Sequence, residues 1–174
     1  MTIRRAAFVA AAASLAALAL AAGCRTPKRA TDRGGVYDSR SLKFHHGTLP
    51  DEWKRTKVEG TSLAFDNRPL DATISLFANC KDIEDVSLRA LVQQELVGLE
   101  NKEVLERRED PVGDREAADW VVRGELDGVT VQMNLVVLRI GGCVYDLVLV
   151  ADPQTFEKAR ADFKVFVGGF EVIK

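Results

Sequence analysis

Three long alternating segments joined by two-residue turns occupy the C-terminal half of this chain. In Ala118–Leu126, Trp120 and Val122 face opposite to Asp119, Arg123 and Glu125. In Val129–Ile140 one face carries Val129, Val131, Met133, Leu135 and Val137. The other begins polar (Thr130, Gln132, Asn134) and ends apolar (Val136, Leu138, Ile140). Cys143–Ala151 is apolar on both faces apart from Tyr145 and Asp146. Asp127-Gly128 and Gly141-Gly142 separate these segments, and such pairs tolerate the positive φ that tight hairpin turns require. Period-2 patterning over this length commits the chain to an antiparallel sheet. The last strand, apolar on both faces, belongs in the middle of a sheet covered on both sides.

Shorter strands precede this meander. Leu42 and Phe44 alternate with Lys43 and His45 within Ser41–His46, and Leu49-Pro50-Asp51-Glu52-Trp53 is a turn ending in a large aromatic. Leu63 and Phe65 alternate with Ser62 and Ala64, and Asp66-Asn67-Arg68-Pro69 breaks that run. Ala72–Cys80 sets Ile74, Leu76, Ala78 and Cys80 against Thr73, Ser75 and Asn79. Between Asp85 and Glu100 the period changes. Leu88, Leu91, Val92, Leu96 and Leu99 recur at three- and four-residue steps, which predicts a helix capped by Asp85. Val104-Leu105 returns to strand. Asp152-Pro153 opens a second helix, cap first and proline at the first helical position, with Phe156, Ala159, Phe163, Phe166, Val167 and Phe170 as its apolar stripe. A sheet needs a cover, so these phenylalanines read as core and not as an interaction box. The pattern predicts an α+β fold: a mostly antiparallel sheet of about six or seven strands with helices packed on it.

The N-terminus is of another kind. Arg4 and Arg5 precede Ala6–Ala22, an unbroken run of Ala, Leu, Val, Phe and one Ser, closed by Gly23 and Cys24. These are the parts of a secretory signal peptide. Leu20-Ala21-Ala22-Gly23-Cys24 also resembles the lipobox of bacterial lipoproteins, although the leucine usual three positions before the cysteine is here Ala21, with Leu20 one further back. The resemblance implies cleavage before Cys24 and acylation of its sulfur and its new amine. Three fatty-acyl chains of the palmitate type suffice for stable anchoring where one is marginal. Arg25 stands where an inner-membrane retention aspartate would sit in the bacterial sorting rule, which implies the outer membrane, facing the periplasm. The expected organisation is a signal peptide over 1–23, an acylated cysteine and flexible tether over 24–40, and one α+β domain over 41–174. The tether, RTPKRATDRGGVYDSR after Cys24, is too polar to bury.

The 174 residues carry 24 basic and 26 acidic side chains, a net of −2, which excludes a nucleic-acid binder driven by bulk charge. Loss of residues 1–23 removes Arg4 and Arg5 and no acid, so the mature domain is slightly more acidic. It has no general attraction to anionic headgroups, and contact with the membrane falls to the acyl chains on Cys24.

The element order resembles that of the PsbP-like superfamily: strand, a Pro-x-x-Trp turn at Pro50–Trp53, two more strands, helix, antiparallel strands, amphipathic C-terminal helix. The closest texture is Cys143-Val-Tyr-Asp-Leu-Val-Leu-Val-Ala-Asp-Pro leading into the Phe-rich helix, and the resemblance spans about residues 41–172. That superfamily includes the extrinsic P subunit of photosystem II, a Ran-binding nuclear import factor and many small bacterial lipoproteins. The resemblance implies binding to other proteins and not catalysis. No metal- or partner-binding residue of the family maps onto this chain.

With Cys24 acylated, Cys80 and Cys143 remain as an even pair in an oxidising compartment. One ends a strand and the other begins one, so antiparallel neighbours would bring them together. The reading favours a bridge over two separate buried thiols. Closing a loop of that length stabilises by about 4 kcal/mol on the chain-entropy model. Cys-x-x-Cys is absent, and no zinc site is expected.

Catalytic signals are weak throughout. His45 and His46, the only histidines, are adjacent and would point to opposite faces of a strand, and they read as a surface pair. Glu106, Glu109, Asp110, Asp114 and Glu116 are interleaved with Arg107, Arg108 and Arg115, which reads as a solvated edge. Lys54-Arg55-Thr56-Lys57 is too short a basic run for nucleic acid. No enzyme activity, cofactor or metal is expected. Two functions fit: an anchored envelope module that binds or scaffolds a protein through a sheet edge or helix face, or a carrier of a small apolar ligand. The carrier predicts a deep pocket lined by residues such as Trp53, Trp120, Phe156 and Phe163.

Overall fold

The computed structural model describes residues 31–39, 41–81, 86–109 and 116–173. The expected signal peptide over 1–23, Cys24, the expected cap Asp85 and the acids Asp110 and Asp114 lie outside them. In chain order the strands of the first half are β1 (Thr31–Arg33), β2 (Val36–Asp38), β3 (Lys43–His45), β4 (Lys54–Thr56), β5 (Leu63–Asn67) and β6 (Ala72–Asn79). After helix α1 (Leu88–Glu95) come β7 (Glu100–Arg108), β8 (Glu116–Leu126), β9 (Val129–Ile140) and β10 (Cys143–Ala151). Helix α2 (Phe156–Gly168) and the short β11 (Glu171–Val172) close the chain.

Seven strands form one antiparallel sheet in the order β4-β5-β6-β10-β9-β8-β7. The expected meander is present: Asp127 and Gly128 turn β8 into β9 with φ of 50° and 79°, and Gly141 and Gly142 turn β9 into β10 with 60° and 77°. β10 is the central strand, as its two apolar faces demand, with Leu147 opposite Leu76 of β6 and Val136 of β9. Helix α2 covers one face. Its Phe156, Phe163 and Phe166 are fully buried against Ile74, Leu147 and Leu149. Helix α1 covers part of the other face through Val92 and Leu96, over Trp120, Val122 and Val137. The core reading of the phenylalanine stripe is borne out, and the fold is α+β.

Three boundaries differ from expectation. The helix expected over Asp85–Glu100 is confined to Leu88–Glu95, because Ser87 takes the cap (its side chain accepts from the Ala90 N–H) and Gly98 leaves the helical region at φ 89°. Leu99, at helical spacing, instead tucks beneath Gly124 of β8, where a side-chain Cβ would meet the leucine at 2.6 Å. The second helix starts at Phe156, after an Asx turn in which Asp152 accepts from the Gln154 N–H. Within the range expected to be tether (24–40), the described residues pair instead: β1 and β2 form a hairpin through Gly34-Gly35 (φ 59° and 76°), and a second sheet, β1-β2-β3-β11, builds on it. Tyr37, read as part of the linker, stacks on Phe44 at 4.7 Å and is buried. Two residues of alternating apolarity suffice here because their partners come from β3 and the end of α2.

Candidate functional site

The sheet has two terminal strands, and they are built differently. β7 is nine residues long, its register slips twice against β8, and its only apolar residues are Val104 and Leu105. Bulges and charge are among the ways edges are kept from pairing with other chains. β4 is the Lys-Arg-Thr of the basic run read from the sequence, paired with β5 on one side (Lys54 with Asp66, Arg55 with Phe65, Thr56 with Ala64). Two grooves open along it, and both contain Arg55 and Thr56. The larger, about 780 Å³, runs past Lys57, Glu59 and Leu63 to Tyr37 of the small sheet. The smaller, about 470 Å³, runs past Lys54 to Glu52, Asp66 and Arg68.

The wall between the two sheets is polar. Arg55 lies 3.8 Å from Asp32 of β1, and Asp32 in turn meets His46 Nε2 at 3.1 Å. His46 Nδ1 lies 2.9 Å from the Gly47 carbonyl oxygen, and its ring packs 4.9 Å from Phe166. The two histidines do point apart, His45 outward and His46 inward, but His46 is buried and not the surface residue expected. The aromatic rings of Phe44, Phe65 and Phe166 supply the reason: the face of β3 that carries Phe44 closes over the end of α2. Gly47 fits there because its backbone runs against α2, where a Cβ would meet the Val165 carbonyl at 1.8 Å.

A second polar cluster lies at the β7–β9 end of the α2 face. Arg160 of α2 is 5% exposed and donates to both Glu106 oxygens at 2.7 and 2.6 Å. Its Nε donates to Asn134 Oδ1 at 3.1 Å, and Asn134 Nδ2 donates to Asp119 at 2.6 Å. The hydrogen bonds from Arg160 hold the Glu106 carboxyl below the usual carboxylate range, and they raise Arg160. Glu106 is therefore not the solvated edge acid it resembles. Glu109 and Glu116 are closer to that reading, paired with Arg107 at 2.6 Å and Arg139 at 3.6 Å. Every donor of Arg160 that matters is already taken by the chain itself, so this cluster ties α2 to the sheet.

On the other face, a cavity of about 270 Å³ opens between α1 and the sheet, lined by Leu91, Gln94 and Glu95 of α1 and by Phe77, Asn79 and Asp146 among others. Asp146 Oδ1 is buried with no hydrogen-bond partner among the described residues. Burial, and then the charge of Glu95, push the Asp146 carboxyl up to about 7. Burial also raises Glu95. The strand pattern singled out Asp146 as a polar interruption, and nothing in a single strand says which charge will face it.

Cys80 and Cys143 form a disulfide, with Cα atoms 4.1 Å apart at the end of the β6–β10 pair. The four rings expected to line one ligand pocket do not share a space. Trp53, Phe156 and Phe163 belong to the core on the α2 face, and Trp120 belongs to the core on the α1 face. Trp53 is pinned there by its N–H, which donates to Asp162 of α2 at 2.8 Å.

No family model matches the sequence, and no curated protein does. Solved structures do match. The cyanobacterial PsbP protein (CyanoP) of Synechocystis sp. PCC 6803 superposes with a TM-score of 0.55 at 13% identity, over 90% of this chain and 99% of that one. The fold is PsbP-like. LpqN, described as involved in cell envelope biogenesis of Mycobacterium tuberculosis, has the same architecture, with a TM-score of 0.55 at 15% identity over 84% of this chain and 90% of its own. At these identities the likeness is one of fold, and it fits the α+β layering and central β10 described above. Among the described residues, no helix is long and apolar enough to cross a membrane, and no group of three or more His, Cys, Asp or Glu side chains is placed to hold a metal ion.

Proposed function

We propose that this chain is a non-catalytic envelope lipoprotein, held by acyl chains on Cys24 at the outer membrane, whose PsbP-like domain binds a partner protein through the β4 edge of its main sheet. The observation that carries the reading is the contrast between the two edges. β7 is interrupted by two register shifts, whereas β4, though short and cationic, leaves its free side between two adjoining grooves. A strand edge with grooves beside it is the geometry in which an extended segment gains main-chain hydrogen bonds and sets its side chains into pockets. The anchor fits the same task, since the lipobox-like Leu20–Cys24 would fix one end of the chain in the membrane and leave the domain facing the envelope space. The small-ligand carrier loses its support with the separation of Trp120 from Trp53, Phe156 and Phe163.

Photo-crosslinking in intact cells tests this, with a crosslinking residue at Thr56 on β4 or at Val104 on β7. The expected result is one dominant envelope protein captured from Thr56 and not from Val104, with capture reduced in Cys24→Ser. Equal capture from both edges, or none from Thr56, overturns the edge reading. A wild-type mass lacking acyl chains overturns the anchor.

A further inference from the structure

We propose that the segment received at β4 is an extended acidic stretch of the partner protein, read by Lys54 and Lys57. This rests on the β4-edge reading above and names the chemistry of its occupant. Lys54 and Lys57 are exposed, one in each groove, and among the described residues neither has an ion-pair partner. The other two cations along the grooves are held by this chain's own acids, Arg55 by Asp32 and Arg68 by Asp66, each at 3.8 Å. The acids that remain, Glu52 and Glu59, lie at the outer ends of the grooves, in the turns before and after β4. The stretch that a guest strand would lie against, Lys54-Arg55-Thr56-Lys57, therefore offers two cations that no acid of the described residues pairs, and it carries no acid of its own.

Charge also excludes the competing occupants. A second copy pairing β4 against β4 would set lysine and arginine against lysine and arginine, and like charges facing across a strand pair are destabilising. The chain's own segment after Cys24, with Arg25, Lys28 and Arg29 and no acid before Asp32, would be repelled in the same way. An acidic strand gains at both positions: main-chain pairing along β4 supplies affinity, and carboxylates facing Lys54 and Lys57 select the sequence.

Full-length protein in neutral-lipid nanodiscs is titrated with fluorescein-labelled heptapeptides Val-Val-Xaa-Val-Val-Xaa-Val in which Xaa is glutamate, serine or lysine. This three-residue spacing sets one Xaa on each face of the added strand, as Lys54 and Lys57 are set on β4 and its end. Amide hydrogen exchange is followed in the same samples. The expected result is that the glutamate peptide binds about fivefold tighter than the serine peptide, the effect of two exposed ion pairs. The lysine peptide binds more weakly still, and protection rises at residues 54–56. Lys54→Glu with Lys57→Glu reverses the order of the peptides. Equal binding of the glutamate and serine peptides, with protection at 54–56, overturns the acidic preference while leaving the edge reading intact. Protection elsewhere, or binding of no peptide, overturns this proposal; whether β4 still engages a cellular partner is then read from the Thr56 crosslink. A concentration-dependent doubling of mass that the glutamate peptide does not compete overturns it in favour of a second copy.

Discussion

The two faces of the main sheet are covered by unequal helices. α2 is thirteen residues long and lays Phe156, Phe163 and Phe166 across the sheet, each at most 1% exposed. α1 is eight residues long, and Val92 is its only fully buried side chain. One face is therefore a closed aromatic layer, and the other is a partial cover with an acidic cavity at its margin. The comparison teaches where this fold stores its stability and where it leaves room for polar groups that nothing neutralises. It is sharpened by truncating one residue on each face. Phe163→Ala should cost about 5 kcal/mol, at the upper end for phenylalanine because neighbouring rings cannot collapse into the space. Val92→Ala should cost about 2 kcal/mol. Urea unfolding of the two variants measures both, and equal losses would abolish the asymmetry.

The disulfide strengthens the α2 face further, since Cys143 packs against its core. Its cysteines are 63 positions apart, so its removal frees a long loop in the unfolded chain. Cys80→Ala with Cys143→Ala should lose about 4 kcal/mol on the chain-entropy model. Alkylation of the denatured, unreduced protein gives an independent check: two accessible thiols at these positions would contradict the bridge.

What could be read from the residues follows the same asymmetry. Features set by local patterning were legible: the Asp127-Gly128 and Gly141-Gly142 turns, the two-faced β10, the phenylalanine stripe and the pairing of Cys80 with Cys143. Features set by a distant neighbour were not. β7 was visible only as Val104-Leu105, because its remaining residues are polar and its strand conformation comes from pairing with β8. The β1–β2 hairpin resembled a linker, because Tyr37 finds Phe44 only after β3 returns. Of the proposed site, the basic run at Lys54–Lys57 stands out in the sequence only as a run too short for nucleic acid; no sequence signal says that it forms the last strand of a sheet. Arg160 carries no distinguishing signal within its helix sequence. The polar start of one face of β9, with Gln132 and Asn134, was the available hint that a buried polar partner must cross from α2.

The acidic cavity gives the α1 face a pH dependence opposite in direction to that of the α2 face. Asp146 titrates near 7 in the folded chain and near 3.8 when free of these surroundings. The folded state thus holds a proton more tightly than the unfolded state, and stability falls as pH rises through that interval. Below the ordinary aspartate range the group carries no penalty; above about 7 the penalty is complete. Asp146→Asn should raise stability at pH 8 by about 2 kcal/mol, a figure discounted for the remaining solvent access, and should flatten the profile between pH 4 and 7. An unchanged slope in the variant would assign the dependence to other groups.

The smallest effect expected comes from the one place where the α2 face is also charged. Glu106 is 38% exposed and pairs with an Arg160 side chain that is 6% exposed, so the two partners differ in what they lose when separated. Glu106→Gln leaves a buried guanidinium with weaker acceptors, but water reaches the vacated side and softens the cost. The expected loss is about 1 kcal/mol at pH 7. The carboxyl is held below its ordinary range by the Arg160 hydrogen bonds, so its contribution is present above that range and disappears as pH falls through the lowered folded value. Wild type and variant should therefore converge in strong acid, opposite in direction to the change at Asp146. A difference that persists there would mean that Glu106 acts through packing alone, and that the two faces differ in extent of cover and not in how they handle charge.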